Sequence, residues 1–219
     1  MFWSKTINAV KFIRLYAEKC NKNSAYKRVY RNIANKMLAF EKSIGYKVDS
    51  NSFDDELCNR FVDFLKGQNL RKNTIKNILD KTKYMFRLMS KRGYKVNWAF
   101  EDVSESLEKV STVYLSIDEI KALYSIENLS QENRLIVDLF IVGCFTGLRF
   151  SDYSKLSNDN ISGNFIFRKT QKTGENVQIP IHVIVREIIE RYNGFPPYNN
   201  SQQNFNKRLK NLCKQAKID

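Results

Sequence analysis

The chain of 219 residues has 37 lysines and arginines against 23 aspartates and glutamates, so its formal net charge is +14. Hydrophobic residues make up 42% of it, which suits a folded protein and excludes a disordered chain. Its four cysteines are far apart and it has one histidine, so the sequence offers no zinc-ligand pattern; we expect reduced thiols, no metal and no cofactor.

The positive charge is concentrated in the N-terminal half. Residues 1–110 hold 23 basic and 12 acidic residues, whereas residues 111–219 hold 14 and 11. A field of this size favours a polyanionic partner, either nucleic acid or an anionic membrane surface, over a merely solvated surface. The most apolar stretch, 135–148, contains Asp138 and is too short to cross a bilayer, and no long apolar run follows the first residues. We therefore expect a cytoplasmic protein without a membrane span.

Residues 1–100 predict a compact domain of four helices. Apolar residues recur at helical spacing over 10–17, 29–40, 57–65 and 75–89. Gly45, Gly67 and Gly93 follow the last three of these runs and predict where the helices end. The connections between the runs are short, as in a helical bundle.

The fourth predicted helix carries many of the basic residues, and they are the candidate contacts to DNA phosphates. They are Arg71, Lys72, Lys76, Lys81, Lys83 and Arg87. Helical spacing places Lys72, Lys76 and Lys83 near one face, which we expect to lie opposite the apolar residues. The alternative is a solvated face without a partner.

A change of pattern follows. Four carboxylates lie between residues 101 and 108 among serines, and we interpret 101–113 as a linker to a second domain over 114–219. Ser116 and Glu119 have the spacing of a capping box and open a helix there. A strongly apolar helix over 130–145 and a short helical stretch over 152–156 come next.

The period then changes from helix to strand. Residues 164–169 and 177–181 alternate between apolar and polar, and the polar segment 170–175 between them contains Gly174. This pattern predicts a β-hairpin or small antiparallel sheet. Helices over 183–192 and 202–217, the last of them basic, complete the second domain.

The sharpest local motif spans residues 145–152. The apolar helix runs into Gly147, Arg149 follows, and Asp152 comes three residues later. Glycine allows a turn that would deliver Arg149 to the surface, where its planar guanidinium suits a phosphate, and Asp152 could orient it. Residue chemistry alone favours a simpler alternative, an Arg–Asp pair that ties two helices together.

Lys172 occupies the predicted hairpin tip. A lysine on a flexible hairpin can reach a bound phosphodiester and protonate a leaving oxygen. By itself, an exposed turn lysine without a chemical role is the simpler interpretation.

Together these pieces resemble the tyrosine recombinase family of phage and conjugative-transposon integrases, and most of all the integrases of Bacteroides-type bacteria. The resemblance covers nearly the whole chain. It rests on four motifs in this order: Asn73-Thr74-Ile75 with Gly93-Tyr94, the stretch Tyr114 to Ile120, the stretch Thr146 to Asp152, and Lys172-Thr173-Gly174 with Ile179-Pro180-Ile181.

The resemblance implies a mainly α fold with a small sheet: a helical core-binding (SAM-like) domain and part of an α/β catalytic domain. It implies that Arg149 binds the scissile phosphate, Asp152 supports the active site and Lys172 is the general acid. Lys169 is the weaker candidate for the hairpin role and is counted among the DNA contacts. The implied partner is double-stranded DNA, broken and rejoined through a tyrosyl phosphate without a cofactor, with self-association up to a tetramer.

The chain also departs from the family, which needs a His-x-x-Arg box and a tyrosine nucleophile near its C-terminus. His182 lies directly after the hairpin, and Arg186 follows it by four positions instead of three. Tyr192 and Tyr198 precede the place where the nucleophile should fall. We interpret His182 and both tyrosines as structural, and we expect a truncated chain that is itself inactive.

Two alternatives to a recombinase remain open. One is a non-catalytic DNA-binding module that occupies or regulates recombination sites. The other is a helical protein that binds RNA or a membrane surface and matches the motifs by chance, which the combination of hairpin and Arg149 motif disfavours.

Overall fold

The computed structural model describes residues 5–218. They divide into two compact units, the first ending at Ser111 and the second beginning at Thr112, and each has its own hydrophobic core. Within the described residues, no helix combines the length and the apolar character that crossing a membrane requires.

The first unit is built from four helices. They are α1 (Ala9–Lys19), α2 (Ser24–Ile44), α3 (Asp55–Lys66) and α4 (Lys72–Lys91). Asn8, Asn23 and Asp54 cap the first three, since each side chain accepts a backbone N–H of the first helical turn. Gly45 ends α2 in the left-handed conformation, with φ 82°. The helical first domain predicted from residue spacing is confirmed.

Aromatic rings fill the centre of this unit. Phe53 stacks on Phe86 with ring centroids 4.5 Å apart, and Phe100, in a 3-10 turn over Ala99–Asp102, packs against both. All three rings are fully buried, and burying each one contributes about 1.5–3 kcal/mol. Because Phe100 belongs to this core, the chain beyond α4 is drawn back onto the helices.

The acidic segment predicted as a linker over 101–113 also runs along the first unit. Val103 is buried in the core, and Glu105 forms an ion pair with Lys66 of α3 at 2.8 Å. Further on, the backbone N–H of Glu108 donates to Asn73 Oδ1 of α4 at 2.8 Å. The segment is therefore part of the first unit as far as Glu108, because its carboxylates and backbone find partners on α3 and α4.

The second unit contains five helices and a small sheet within its described residues. They are α5 (Ile117–Tyr124), α6 (Gln131–Thr146), α7 (Phe150–Tyr153), β1 (Ile161–Ser162), β2 (Phe165–Lys169), β3 (Asn176–Pro180), α8 (Val183–Tyr192) and α9 (Gln202–Gln215). The predicted capping box is confirmed: Glu119 N–H donates to Ser116 Oγ at 3.2 Å, and Ser116 N–H donates to Glu119 Oε2 at 2.6 Å.

The helical stretch predicted over 152–156 is displaced towards the N-terminus. The chain re-enters helical conformation directly after Arg149, whose extended backbone (φ −70°, ψ 153°) makes it the N-cap of α7. Helix α7 then lasts a single turn, to Tyr153. The Tyr153 ring packs directly on Gly143 of α6, where an added Cβ would be only 2.6 Å from the ring. This close contact fixes α7 on α6.

The sheet is antiparallel, in the order β1-β2-β3. Ile166 pairs with Ile179 and Phe167 with Gln178 across β2 and β3, as the predicted hairpin requires. Strand β1 is an addition that the sequence did not indicate, because two residues are too few for alternation to be visible. Ile166 is fully buried, whereas its neighbours on the strand face the solvent. The predicted fold class, mainly α with a small antiparallel sheet, is confirmed.

Candidate active site and nucleic-acid interface

The turn between α6 and α7 presents Arg149. Gly147 ends α6 with φ 66° and donates its N–H to the Gly143 carbonyl, a conformation that costs an ordinary residue about 1–2 kcal/mol. Thr146 Oγ1 donates to the Val142 carbonyl at 2.7 Å and accepts the Leu148 N–H at 3.4 Å. These contacts fix the backbone on either side of the turn, and the Arg149 side chain that leaves it is exposed.

Asp152 connects this turn to the β-hairpin. The residue is fully buried, and its Oδ1 accepts the backbone N–H of Gln171 at 2.8 Å. Its Oδ2 is buried and has no hydrogen-bond partner among the described residues. Within residues 5–218 no ion pair joins Arg149 to Asp152, so the simpler alternative, an Arg–Asp tie between helices, is not formed.

The hairpin tip is a closed turn that exposes Lys172. Thr170 N–H donates to the Glu175 carbonyl at 2.8 Å, and Gly174, at φ 75°, donates to the Thr170 carbonyl at 2.9 Å. The hydroxyls of Thr170 and Thr173 lie 2.7 Å apart. Lys172 is exposed at the tip, and Lys169 is exposed at the end of β2.

A cleft of about 450 Å³ lies between the turn and the hairpin. Arg149 and Asp152 line one side, and Thr170 and Gln178 line the other. The structure thus brings two of the three predicted catalytic residues into one cleft, with Lys172 on the adjoining tip and outside the lining. Among the described residues, no group of three or more histidine, cysteine, aspartate or glutamate side chains is placed to hold a metal ion.

His182, Tyr192 and Tyr198, which we interpret as structural, each contact neighbouring residues of the second unit. His182 is the N-cap of α8, where Nδ1 accepts the Ile184 N–H at 3.3 Å, and its ring stacks on Phe145 with centroids 4.2 Å apart. The Tyr192 hydroxyl donates to a buried carboxylate, Asp138 Oδ2, at 3.0 Å, and burial raises its pKa. Tyr198 packs against Phe205 of α9.

Sequence reasoning missed the partners of Asp138, which it treated only as an interruption of an apolar run. Asp138 is fully buried in α6, and its Oδ2 also accepts from Arg191 Nη1 of α8 at 2.6 Å. Arg134, one turn earlier, lies 3.8 Å from Oδ1, near enough to pair but too far to hydrogen-bond. The hydrogen bond that Arg191 donates to Asp138 raises the pKa of Arg191. This cluster ties α8 to α6. The sequence feature that could have indicated it is a carboxylate inside an apolar helix.

The predicted DNA contacts on α4 separate into two groups. Arg71 and Lys72 are exposed at its N-terminus, and Lys76 pairs with Asp80 at 3.0 Å. The placement of Lys83 on the same exposed face is wrong: it is 6% exposed, and its ammonium donates to the Glu101 carbonyl at 2.7 Å. The lysine face lies only about 100° round the helix from the centre of the apolar face, since successive residues turn by about 100°, so the 3-10 turn can cover it.

Arg87 is also engaged within the first unit. Its Nε and Nη2 donate to the two Glu101 carboxylate oxygens at 2.6 and 2.5 Å. These hydrogen bonds hold the pKa of Glu101 below its ordinary value and raise that of Arg87. Lys81, the remaining candidate, donates to Asn77 one turn earlier on the helix.

Exposed arginines that the sequence analysis did not single out lie on α2. Arg28 and Arg31 line a shallow groove of about 510 Å³ together with Asn32 and Asn35. Both arginines are exposed, and within residues 5–218 neither forms an ion pair. Their helical spacing, on the face away from the buried Ile33 and the other core residues of α2, was the available signal.

Comparison with known proteins places these features in context. Residues 8–107 match the phage integrase SAM-like domain. A structure of a lambda integrase dimer bound to a COC' core site superposes with a TM-score of 0.79 at 14% identity, covering 99% of this chain and 65% of that one. The Tn1549 transposon integrase in complex with transposon right end DNA gives a TM-score of 0.67 at 14% identity, covering 84% and 64%. No curated protein sequence matches the chain.

The family match covers the SAM-like domain, and the two solved structures show that this chain has the fold of the corresponding integrase domains. The chain spans 65% of the length of the lambda integrase structure and 64% of that of the Tn1549 integrase. The closer likeness to Bacteroides-type integrases and the truncation of the chain stay predictions.

Proposed function

We propose that this chain binds duplex DNA and supplies the core-binding domain and part of the active site of a site-specific recombinase. The observation that carries the proposal is the cleft in which Arg149, held by the Gly147 turn, faces the hairpin that bears Lys172. A phosphodiester in that cleft would meet a guanidinium whose backbone is already fixed. Preorganised charge of this kind stabilises charge that develops in a transition state.

Arg149 would bind the scissile phosphate. Its guanidinium is exposed at the cleft and unpaired within residues 5–218, so it is free to donate two parallel hydrogen bonds to phosphate oxygens. Asp152 would act through the hairpin, because its carboxylate holds the backbone of Gln171 at the tip.

Lys172 would serve as the general acid that protonates the leaving oxygen. It follows Gln171 directly, so the Asp152 contact limits where the lysine can reach. Lys169 lies before the closed turn, at the end of a paired strand, and has less freedom to approach the cleft.

In this proposal, the tyrosine nucleophile and the arginine of the His-x-x-Arg box are supplied by residues other than the 219 described by this sequence. Tyr192 donates to the buried Asp138 and Tyr198 packs on α9, so neither is free to attack a phosphate at the cleft. A tyrosyl phosphate would conserve the energy of the broken bond, so strand exchange needs no cofactor. Self-association on DNA is part of the proposal; lambda integrase itself has been solved as a tetramer bound to a Holliday junction.

Contacts to the duplex would come mainly from the first unit. Arg71 and Lys72 at the start of α4, and Arg28 and Arg31 on α2, are exposed cations. Contacts of this kind set affinity and register through the phosphates without reading sequence.

A second candidate function is a non-catalytic module that occupies recombination sites. It is favoured by the engagement of Tyr192 and Tyr198 in packing, because that leaves the cleft a phosphate-binding site without its own nucleophile. Both candidates require duplex binding, and they differ in the chemistry of the full protein.

A nicked suicide duplex separates the two candidates. This chain should bind it without forming a covalent protein–DNA adduct. A longer protein that supplies the nucleophile should form the adduct, and Arg149→Ala should slow its formation about a hundred- to thousand-fold. Lys172→Ala should slow adduct formation less than Arg149→Ala does, because water can partly replace a general acid. An adduct from the 219-residue chain, or full activity without Arg149, would contradict the assignment.

A further inference from the structure

The outer face of the small sheet is unusual for a solvated surface. Alternate residues of a strand point to the same side, and on β2 that side carries Phe165, Phe167 and Lys169, all exposed. The two phenylalanines are 38% and 44% exposed, whereas Ile166 between them is fully buried on the other side. Across β3 the same face is continued by Pro180, Gln178 and Asn176. We refer to these six residues as the sheet face.

The two rings do not cover each other. Their centroids lie 6.4 Å apart and their planes are inclined by 58°, so they are not stacked on one another. A half-exposed antiparallel sheet normally presents polar side chains to water. Two phenylalanines in that position indicate that something with flat or apolar surfaces covers them.

The polar residues of the sheet face favour nucleotides as that partner. The face has one cation, Lys169, and two amides, Asn176 and Gln178, and no carboxylate. Between residues 161 and 182 the sequence has one carboxylate, Glu175, which belongs to the hairpin tip. Aromatic rings stack unpaired bases, amides hydrogen-bond to base edges, and cations track phosphates.

We propose that the sheet face binds unpaired nucleotides of single-stranded DNA, with bases stacked on Phe165 and Phe167. The proposal rests on DNA being the partner in the proposed function, and it adds the stacking of unpaired bases on Phe165 and Phe167. The row of residues from Phe165 to Lys169 leads to the hairpin tip beside the Arg149 cleft. A strand cut at that cleft must leave its complement before it can be exchanged, and the sheet face lies where its unpaired bases could be held.

Fluorescence anisotropy with labelled oligothymidine of about 12 nucleotides tests this site. Phe165→Ala and Phe167→Ala should each weaken binding about 5- to 150-fold, the range for loss of one base–aromatic stack. Phe167→Trp should bind at least as well as the unaltered chain, and Phe167→Leu, which keeps an apolar side chain, should bind as poorly as Phe167→Ala. An abasic strand of the same length should lose affinity for the unaltered chain. Tyr46→Ala, which removes a 47% exposed aromatic ring from the first unit, is the matched control and should have no effect.

Several outcomes would overturn the proposal. Full binding by Phe167→Leu, or equal binding of abasic and thymidine strands, would exclude stacking. Dissociation of an oligomer by the Phe165→Ala and Phe167→Ala changes, with single-strand binding intact, would identify the face as a protein interface. Blunt duplex, titrated in the same series, keeps the two proposals apart. Loss of single-strand binding alone supports the sheet face, whereas absence of duplex binding by the unaltered chain counts against the proposed function.

Discussion

At the scale of single residues, Asp152 is the centre of the candidate active site even though it does not pair with Arg149. Its Oδ1 accepts the Gln171 N–H from a position without solvent. Asp152→Ala leaves that N–H without its partner, and we expect a loss of about 1–3 kcal/mol in the free energy of unfolding. Asp152→Asn retains an acceptor oxygen and should lose less.

Chemical denaturation measures the free energy of unfolding of both Asp152 variants, and hydrogen exchange measures the protection of the Gln171 amide directly. Asp152→Ala should accelerate exchange of the Gln171 amide and of the hairpin tip around Gly174. If the Gln171 amide exchanged at the same rate in Asp152→Ala as in the unaltered chain, the contact between α7 and the hairpin would not exist in solution.

Glu101 gives a prediction for pH. Because hydrogen bonds from Arg87 hold the pKa of Glu101 below its ordinary value, the carboxylate stabilises the folded first unit at neutral pH. That contribution is lost as the pH falls from about 5 towards 3, through the ordinary glutamate range of about 4.3 and below it. Glu101→Gln should flatten the fall in melting temperature over this window. Asp63→Asn, at an exposed carboxylate on α3, should leave the profile unchanged.

At the scale of elements, the Asp138 cluster decides how α8 is fixed to α6. Asp138→Ala removes the anion that Arg191 and Tyr192 share and leaves a polar gap in the core. Loss of one partner of a buried pair commonly costs about 3–5 kcal/mol. Arg191 can turn to solvent, since its side chain is 41% exposed, so we expect about 2–3 kcal/mol.

Urea unfolding of the second unit checks this value. The matched control is Asp118→Asn, which removes an exposed pair with Lys121 at 3.6 Å and should change stability by less than about 1 kcal/mol. Equal effects of the two substitutions would show that the cluster contributes no more than a surface pair.

Local signals predicted most of the elements, and long-range contacts account for what was missed. Helix caps such as Ser116 and the turn glycine Gly147 act within a few residues, so their spacing is visible in the sequence. Asp138 meets Arg191 across 53 positions, and no local pattern records that pairing. Lys83 was predicted to lie opposite the apolar residues of α4, but the return of Glu101 onto α4, a contact across 18 positions, buries it.

The candidate site shows the same division. The pattern around Gly147 predicted that Arg149 would be delivered to a surface, and the alternation of the strands predicted the hairpin. The hydrogen bond between Asp152 and the Gln171 N–H depends on how α7 packs against the hairpin. Residue types alone did not predict that packing. The exposed rings of Phe165 and Phe167 were part of a correctly predicted strand, yet alternation alone did not say which side would face water.

At the scale of the whole molecule, the proposed function and the uneven charge together predict that most duplex contacts come from the first unit. Arg28→Ala and Arg31→Ala should each weaken duplex binding and lower the salt slope, the change of log K with log salt, by about 1. Lys83→Met should leave that slope unchanged, because the Lys83 ammonium is bound to the Glu101 carbonyl. Salt titrations of the three variants check this, and a reduced slope for Lys83→Met would show that the lysine reaches DNA after all.

The salt dependence of duplex binding by the unaltered chain is the direct test of the proposed function. If about five phosphates are neutralised, log K should fall against log salt with a slope near −4 to −5. Binding of duplex DNA at low salt with a slope in that range is the predicted result. Binding that does not respond to salt, or no binding of duplex DNA at low salt, would contradict the proposed function.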